Sequence, residues 1–121
     1  MEYLTKSSFI EKIFDYENNK EWSYKSSKPC IIDFYADWCG PCKMVSPIME
    51  QLASDYNGLV DIYKIDTDKE MELSSIFGIR SIPSVLFVPV SDKPQMSVGA
   101  MPKEGYESAI SQIFGIEKPV A

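Results

Sequence analysis

Residues 31–42 decide the fold, and they run Ile31-Ile32-Asp33-Phe34-Tyr35-Ala36-Asp37-Trp38-Cys39-Gly40-Pro41-Cys42. The first half is an apolar run with one carboxylate in its middle, which is typical of a strand covered on both faces. Two cysteines follow with two residues between them. The chain from Cys42 to Tyr56 then has the apolar spacing of a helix. The stretch therefore predicts a buried strand that leads, through a cysteine pair, into a helix.

The rest of the chain alternates between strand and helix patterns. Thr5 or Ser7 is predicted to cap the first helix, and Asp66, Thr67 or Asp68 to cap the short third helix. The predicted helices cover 8–16, 42–56, a short segment ending before Gly78, and 103–114. The predicted strands cover 30–36, 60–66, 84–88 and 95–100, with a further candidate near 2–4. Alternation predicts parallel pairing, and the short turn 89–94 predicts a closing antiparallel hairpin.

These elements predict one α/β domain over residues 1–121. Its mixed sheet would have four to five strands, with helices on both faces. The polar stretch 17–28 is predicted to be a long loop, held to the domain by Trp22 and Tyr24.

Composition excludes several classes of function. A net charge of −6 argues against binding to nucleic acid, which needs clustered lysine and arginine. The chain has three cysteines and no histidine, a poor donor set for a metal, so no metal site is predicted. It has no run of about 20 apolar residues that would span a membrane.

The beginning of the chain bears on its compartment. Residues 1–6 lack the basic and apolar regions of a secretory leader. We therefore expect a cytoplasmic protein, or a periplasmic one if a leader preceding Met1 has been removed.

The cysteine pair is the first candidate for chemistry. Its spacing allows a small disulfide to close. A thiol at a helix start has a lowered pKa, so Cys39 is predicted to be the exposed, attacking thiol. Cys42, one turn further on, is predicted to be less exposed and to resolve the mixed disulfide. Two buried thiols, or half of a zinc site, are the alternatives.

Together with segments elsewhere, the pair carries a resemblance to a known family. The chain resembles the thioredoxins. This resemblance is specific, because several segments match in the family's order. The matching segments are the opening Leu4-Thr5 and Ser8-Phe9, residues 33–43 with Pro47, Lys64-Ile65-Asp66, Gly78 to Ser84, and Val98-Gly99-Ala100. Three features depart from the family. The stretch 16–29 is longer than in compact members, Tyr35 replaces a frequent tryptophan, and the turn 89–94 lacks the usual Asn-Gly pair.

The resemblance implies an activity and partners. It implies a thioredoxin fold and a protein-disulfide reductase without a bound cofactor, acting in electron transport and cell redox homeostasis. Client proteins with disulfides would be its substrates, and an NADPH-dependent thioredoxin reductase its electron donor, with the protein itself a monomer. Two alternatives remain: an extracytoplasmic thiol-disulfide oxidoreductase of the same fold, and a structural or binding subunit.

Asp33 and Lys64 are the next candidates. A lone carboxylate in an apolar strand must find a partner or have its pKa raised. The resemblance implies that Asp33 accepts the proton of Cys42, and a purely structural aspartate is the alternative. Lys64 lies on an apolar strand face. The resemblance implies that it pairs with Asp33, whereas a lysine reaching solvent alone is the other possibility.

The remaining candidates concern docking of a client. The resemblance implies a cis peptide bond between Ile82 and Pro83, and pairing of the Ile82 backbone with an extended client. Cys30 is a spare thiol, predicted to pack in the core, with a regulatory thiol as the alternative. The other residues implied to bind the client are Trp38, Gly40, Pro41, Gly99 and Ala100.

Overall fold

A computed structural model of the protein describes residues 1–120. Its strands and helices alternate along the chain as the sequence pattern predicts. The strands are β1 (Glu2–Tyr3), β2 (Cys30–Tyr35), β3 (Asp61–Asp66), β4 (Ser84–Val88) and β5 (Gln95–Val98). The helices are α1 (Lys6–Lys12), α2 (Gly40–Asp55), α3 (Met71–Ile76) and α4 (Lys103–Phe114).

The five strands form one mixed sheet in the order β1-β3-β2-β4-β5. Strands β1, β3 and β2 run parallel, β4 runs antiparallel to β2, and β5 closes the predicted hairpin with β4. In the centre, Asp33 lies between Lys64 on β3 and Val85 on β4. Strand β2 therefore has a hydrogen-bonded neighbour along each edge, and the predicted mixed sheet is confirmed.

Two apolar layers cover the sheet, one on each face. Because side chains alternate along a strand, Ile32 and Phe34 of β2 enter one layer and Ile31 enters the other. The first layer contains Phe9 of α1 and Leu73 of α3. Residues of α2 and α4 form the second: Val45, Met49, Leu52, Tyr106 and Ile110. Both faces of β2 are thus removed from water, which explains its nearly continuous apolar sequence.

The long loop between α1 and β2 is held against the first layer. The ring of Trp22 packs on Phe14 with centroids 4.9 Å apart, and Tyr24 contacts the same cluster. The backbone N–H of Lys25 also donates to the carbonyl of Ile13 at 2.9 Å. The prediction that Trp22 and Tyr24 fasten this loop to the domain is confirmed.

Helix α1 begins and ends earlier than the predicted 8–16. It covers Lys6–Lys12, and Thr5, one of the two predicted caps, forms a reciprocal capping box with Ser8. The hydroxyl of Thr5 accepts from the Ser8 backbone N–H, and Ser8 Oγ accepts from the N–H of Thr5.

The start of α3 was predicted wrongly. Its N-cap position is Glu70, with no capping side chain within the described chain, rather than Asp66, Thr67 or Asp68. The carboxylate of Asp66 instead accepts from the backbone N–H of Asp68, and the backbone carbonyl of Asp66 accepts from the N–H of Glu70. These bonds fold 66–70 into a turn, so the helix begins only after it.

Two further boundaries differ from prediction by two residues, and one end each of β2, α2 and β3 differs by one. Helix α2 begins at Gly40 rather than Cys42, and it continues through Pro47. Strand β5 ends at Val98 rather than Ala100, because Gly99 adopts a left-handed φ of +90° that leaves the strand. Among residues 1–120, no helix is both long and apolar enough to cross a membrane.

The capping box gives a direct test of the first helix boundary. We expect Thr5→Ala to lower the free energy of unfolding by about 1 kcal/mol, since the Ser8 N–H loses its acceptor. Ser7→Ala, at the rejected cap position on the exposed side of α1, should leave stability unchanged or slightly higher. Urea titration of the two variants measures this difference. An equal loss in both would contradict the assigned cap.

Candidate active site

The cysteine pair lies at the N-terminus of α2, directly after the central strand. Cys39 is the N-cap residue and Cys42 lies in the first turn; a disulfide joins them, with Cα atoms 5.3 Å apart. Cys39 Sγ accepts from the backbone N–H of Cys42 at 3.2 Å. An N–H at a helix start favours negative charge at this sulfur, as a thiolate would carry.

The predicted exposure of Cys39 is wrong in this disulfide-bonded state. The exposed fraction is 4% for Cys39 and 3% for Cys42. Ala36, Tyr35 and Ile82 pack around the pair and cover it. The adjacent Trp38, by contrast, is 71% exposed. Access to the sulfurs is therefore limited by the neighbouring loops rather than by the position in the helix.

Asp33 is a fully buried carboxylate on the strand that leads to the cysteines. Its exposed fraction is 0%, and within residues 1–120 neither of its oxygens has a hydrogen-bond partner. Burial raises the pKa of this carboxyl from 3.8 to about 6, with the positive charge of Lys64 acting in the opposite direction. An acid of this strength can exchange a proton near neutral pH.

Lys64 lies beside Asp33 but bonds elsewhere. The two residues are register neighbours on adjacent parallel strands. Lys64 is only 5% exposed, and its Nζ donates to Ser46 Oγ on α2 at 2.6 Å. The ammonium also lies 4.2 Å from the centre of the Tyr35 ring. The lysine therefore does not reach solvent alone; its charge lowers the pKa of Asp33 from the neighbouring strand, although no direct bond joins the two side chains.

Two loops from distant parts of the chain approach the cysteine pair. The Ile82–Pro83 bond is cis, as the resemblance implied, and the carbonyl oxygen of Ile82 lies 3.7 Å from Cys39 Sγ. The backbone N–H of Gly99 donates to the Pro83 carbonyl at 2.8 Å, which brings the loop after β5 beside it. Pro83 itself is buried, while Ala100 is exposed.

A shallow groove lies next to the pair, on the side of α3. It has a volume of about 450 Å³, and its walls include Trp38, Met71, Arg80 and Ile82. The indole N–H of Trp38 donates to Asp68 at 2.9 Å, which fixes the ring at the rim. Gly40 and Pro41, which lie between the two cysteines in the chain, are also exposed.

Three residues around the cysteine pair were not predicted from the sequence: Ser46, Asp68 and Met71. Met71 is 73% exposed at the start of α3, and an apolar residue in a polar segment was the available signal. Ser46 and Asp68 carried no such signal, because their partners Lys64 and Trp38 lie far away in the chain.

The third cysteine lies apart from this site. Cys30 is a free thiol at the start of β2 with no exposed surface, and burial raises its pKa to about 12. A thiol in this state forms little thiolate, which favours the packing role. Over residues 1–120 there is no group of three or more histidine, cysteine or carboxylate side chains arranged to hold a metal ion.

The fold and the site together define a class of protein. A redox-active cysteine pair at a helix start, following a central strand with a buried carboxylate, is suited to thiol–disulfide exchange.

Comparisons with known proteins identify the family. The Thioredoxin family model matches residues 4–112. The chain is 52% identical to thioredoxin of Borreliella burgdorferi over 112 residues, covering 93% of this chain and 96% of that protein. It is 37% identical to thioredoxin 1 of a Nostoc species over 100 residues, covering 83% and 84% of the two chains. The chain belongs to the thioredoxin family.

A solved structure agrees with this assignment. Chloroplastic thioredoxin z, whose crystal structure is described as defining a type-specific target recognition, superposes with a TM-score of 0.79 at 25% identity over 93% of each chain. The protein is thus a thiol-disulfide oxidoreductase with the predicted thioredoxin fold. Thioredoxins act on disulfide substrates and are generally reduced by thioredoxin reductase.

The buried carboxylate predicts a pH-dependent stability. The folded-state pKa of Asp33 is raised from 3.8 to about 6. The stability that comes from protonating this carboxyl is therefore fully present below pH 3.8, the unfolded-state pKa, and is lost as pH rises through 6. At neutral pH the loss is on the order of 3 kcal/mol, since one pKa unit corresponds to about 1.4 kcal/mol.

We therefore expect Asp33→Asn to raise the unfolding free energy of the oxidised protein at pH 7 by an amount of that order. The variant should also lack the fall in stability between pH 4 and 6. Denaturant unfolding across this pH range tests it. A variant that is less stable than the parent at pH 7 would show that the carboxylate has a stabilising partner after all.

Proposed function

We propose that this chain is a protein-disulfide reductase in which Cys39 attacks, Cys42 resolves and Asp33 accepts the proton. The observation that carries the proposal is the Cys39–Cys42 disulfide at the start of α2, with a buried carboxylate on the strand that precedes it. The similarity of the chain to a thioredoxin along nearly its whole length supports reduction, rather than formation, of client disulfides.

In the first step, the thiolate of reduced Cys39 attacks one sulfur of a client disulfide. A Cys39–client disulfide forms, the client S–S bond breaks, and the released client sulfur takes a proton. The N–H of Cys42, which donates to Cys39 Sγ, supports the assignment of Cys39 as the attacking thiol. Cys42 is not at the N-cap but inside the first turn of α2.

In the second step, Cys42 gives its proton to Asp33 and attacks Cys39 Sγ. The Cys39–Cys42 bond forms and the second client sulfur leaves as a thiolate, so two electrons have passed to the client. A carboxyl with a pKa near 6 is suited to accept this proton at neutral pH. Lys64, which lowers that pKa, lines one small cavity with Cys42 and tunes the base.

The client binds on the surface around the pair. An extended client backbone would pair with Ile82, whose carbonyl already faces Cys39 Sγ. The groove between Trp38 and α3 would take an apolar client side chain. The other predicted docking residues would also contact the client: Gly40, Pro41, Pro83, Gly99 and Ala100.

The partners follow from the same proposal. Clients are proteins with accessible disulfides, and an NADPH-dependent thioredoxin reductase restores the dithiol. We place this monomeric protein in the cytoplasm, in electron transport and cell redox homeostasis, because that compartment keeps thiols reduced.

The roles of the two cysteines can be separated by substitution. Cys39→Ser should abolish disulfide reduction, because no attacking thiol remains. Cys42→Ser should still attack, but it should accumulate a mixed disulfide with the client that mass spectrometry detects. Cys30→Ala removes the third thiol and should retain turnover, since Cys30 is buried away from the pair. Full turnover by Cys39→Ser would sink the proposal.

The reduction potential tests the direction of the reaction. We expect equilibration against a thiol buffer to give about −270 mV, the value typical of thioredoxins. A value between about −120 and −180 mV would instead assign the protein to disulfide formation or reshuffling outside the cytoplasm. Client binding that is unaffected by loss of both cysteines, without any reductase activity, would assign it to the binding subunits of this fold.

A further inference from the structure

Ser46 lies one turn after Cys42 on α2 and is half-buried. Its hydroxyl oxygen accepts a charge-assisted hydrogen bond from Lys64 Nζ at 2.6 Å. This bond joins the helix that carries the cysteines to the strand beside Asp33.

Two aromatic rings complete the surroundings of the ammonium. Lys64 Nζ lies 4.2 Å from the centre of the Tyr35 ring and 5.7 Å from that of Tyr3. A cation is attracted to the face of an aromatic ring, and more strongly where water is excluded. The lysine is 5% exposed, so Ser46 and the two rings replace most of its hydration.

The buried carboxylate of Asp33 lies beside this ammonium on the adjacent strand. Asp33 and Lys64 are register neighbours and point to the same face of the sheet. Yet both Asp33 oxygens lack a hydrogen-bond partner in the described part of the chain. A buried carboxylate beside a buried ammonium would gain from direct contact, so another contact must hold the ammonium away.

We propose that Ser46 is a positioning residue whose hydroxyl holds the Lys64 ammonium beside Asp33 but out of hydrogen-bond contact with it. This rests on the proposed role of Asp33 as proton acceptor. A closed Asp33–Lys64 ion pair would stabilise the carboxylate and lower its pKa, which would make it a weaker base for Cys42. At the observed position the lysine charge moderates the effect of burial without cancelling it.

The groups that face this pair come from several elements. Two other anions compete for the ammonium. Asp37 is exposed, so water and salt screen its attraction, and the Asp66 carboxylate already accepts from the backbone N–H of Asp68. Asp33 is fully buried, so once the Ser46 hydroxyl is removed it attracts the ammonium more strongly than an exposed carboxylate does. The titratable and charged groups around the pair are Tyr3, Tyr35, Asp37, Cys42, Lys43, Asp66 and Tyr106.

The test is a direct titration of the Asp33 carboxyl carbon by ¹³C NMR in the oxidised protein. No thiol of the pair titrates in that state, so the Asp33 curve is free of coupling to Cys39 and Cys42. We expect Ser46→Ala to lower the Asp33 pKa by about one unit, as the ammonium moves onto the carboxylate. Ser54→Ala, on an exposed position of the same helix, is the matched control and should leave the pKa unchanged.

A double-mutant cycle shows whether the effect passes through the lysine. Lys64→Met should raise the Asp33 pKa, and adding Ser46→Ala to it should cause no further change. An unchanged or raised pKa in Ser46→Ala, or the same drop with and without Lys64, would overturn the proposal.

A second readout separates this inference from the proposed function. The pH at which client release by Cys42 is half-maximal should move down with the Asp33 pKa in Ser46→Ala. If Asp33→Asn leaves that pH profile unchanged, Asp33 is not the proton acceptor and the proposed mechanism fails. The NMR titration would then still decide whether Ser46 positions Lys64.

Discussion

The structure depends on the burial of strand β2 at the centre of the sheet. Hydrogen bonds to β3 and β4 satisfy both of its edges, and two apolar layers cover its faces. Such a strand removes water from any side chain it carries and presents its carboxyl end at a fixed place. Asp33 in its middle and the cysteines after its end are therefore held by the same element.

This burial creates an electrostatic conflict at Asp33. A carboxylate that has no hydrogen-bond partner among residues 1–120 destabilises the fold at neutral pH, and the same desolvation gives it a pKa suited to proton transfer. The nearby lysine is bound by a hydroxyl and by aromatic faces instead of closing the ion pair. Under the proposed mechanism, the lower stability at this position goes together with a base of suitable strength.

The surface around the sulfurs is assembled from segments that are distant in the chain. The Ile82–Pro83 turn and the loop at Gly99 are joined by a backbone hydrogen bond, and the first of them covers Cys39. In this state the sulfurs are largely enclosed, while Trp38 and Met71 stand exposed at the groove. Client specificity in such a site would come from the loops more than from the pair itself.

By itself, the sequence determined the order of elements, the central strand, the mixed sheet and the cysteine pair, because periodicity and the WCGPC segment are local signals. The match to the family also pointed to Asp33, Lys64 and the Ile82–Pro83 bond. Only the tertiary structure decided what Lys64 binds, how far Cys39 is covered and where α3 begins. Those outcomes depend on distances between groups far apart in the chain, and on the competition among hydrogen-bond partners for one buried charge. No local pattern encodes that competition, since it exists only after the layers have packed.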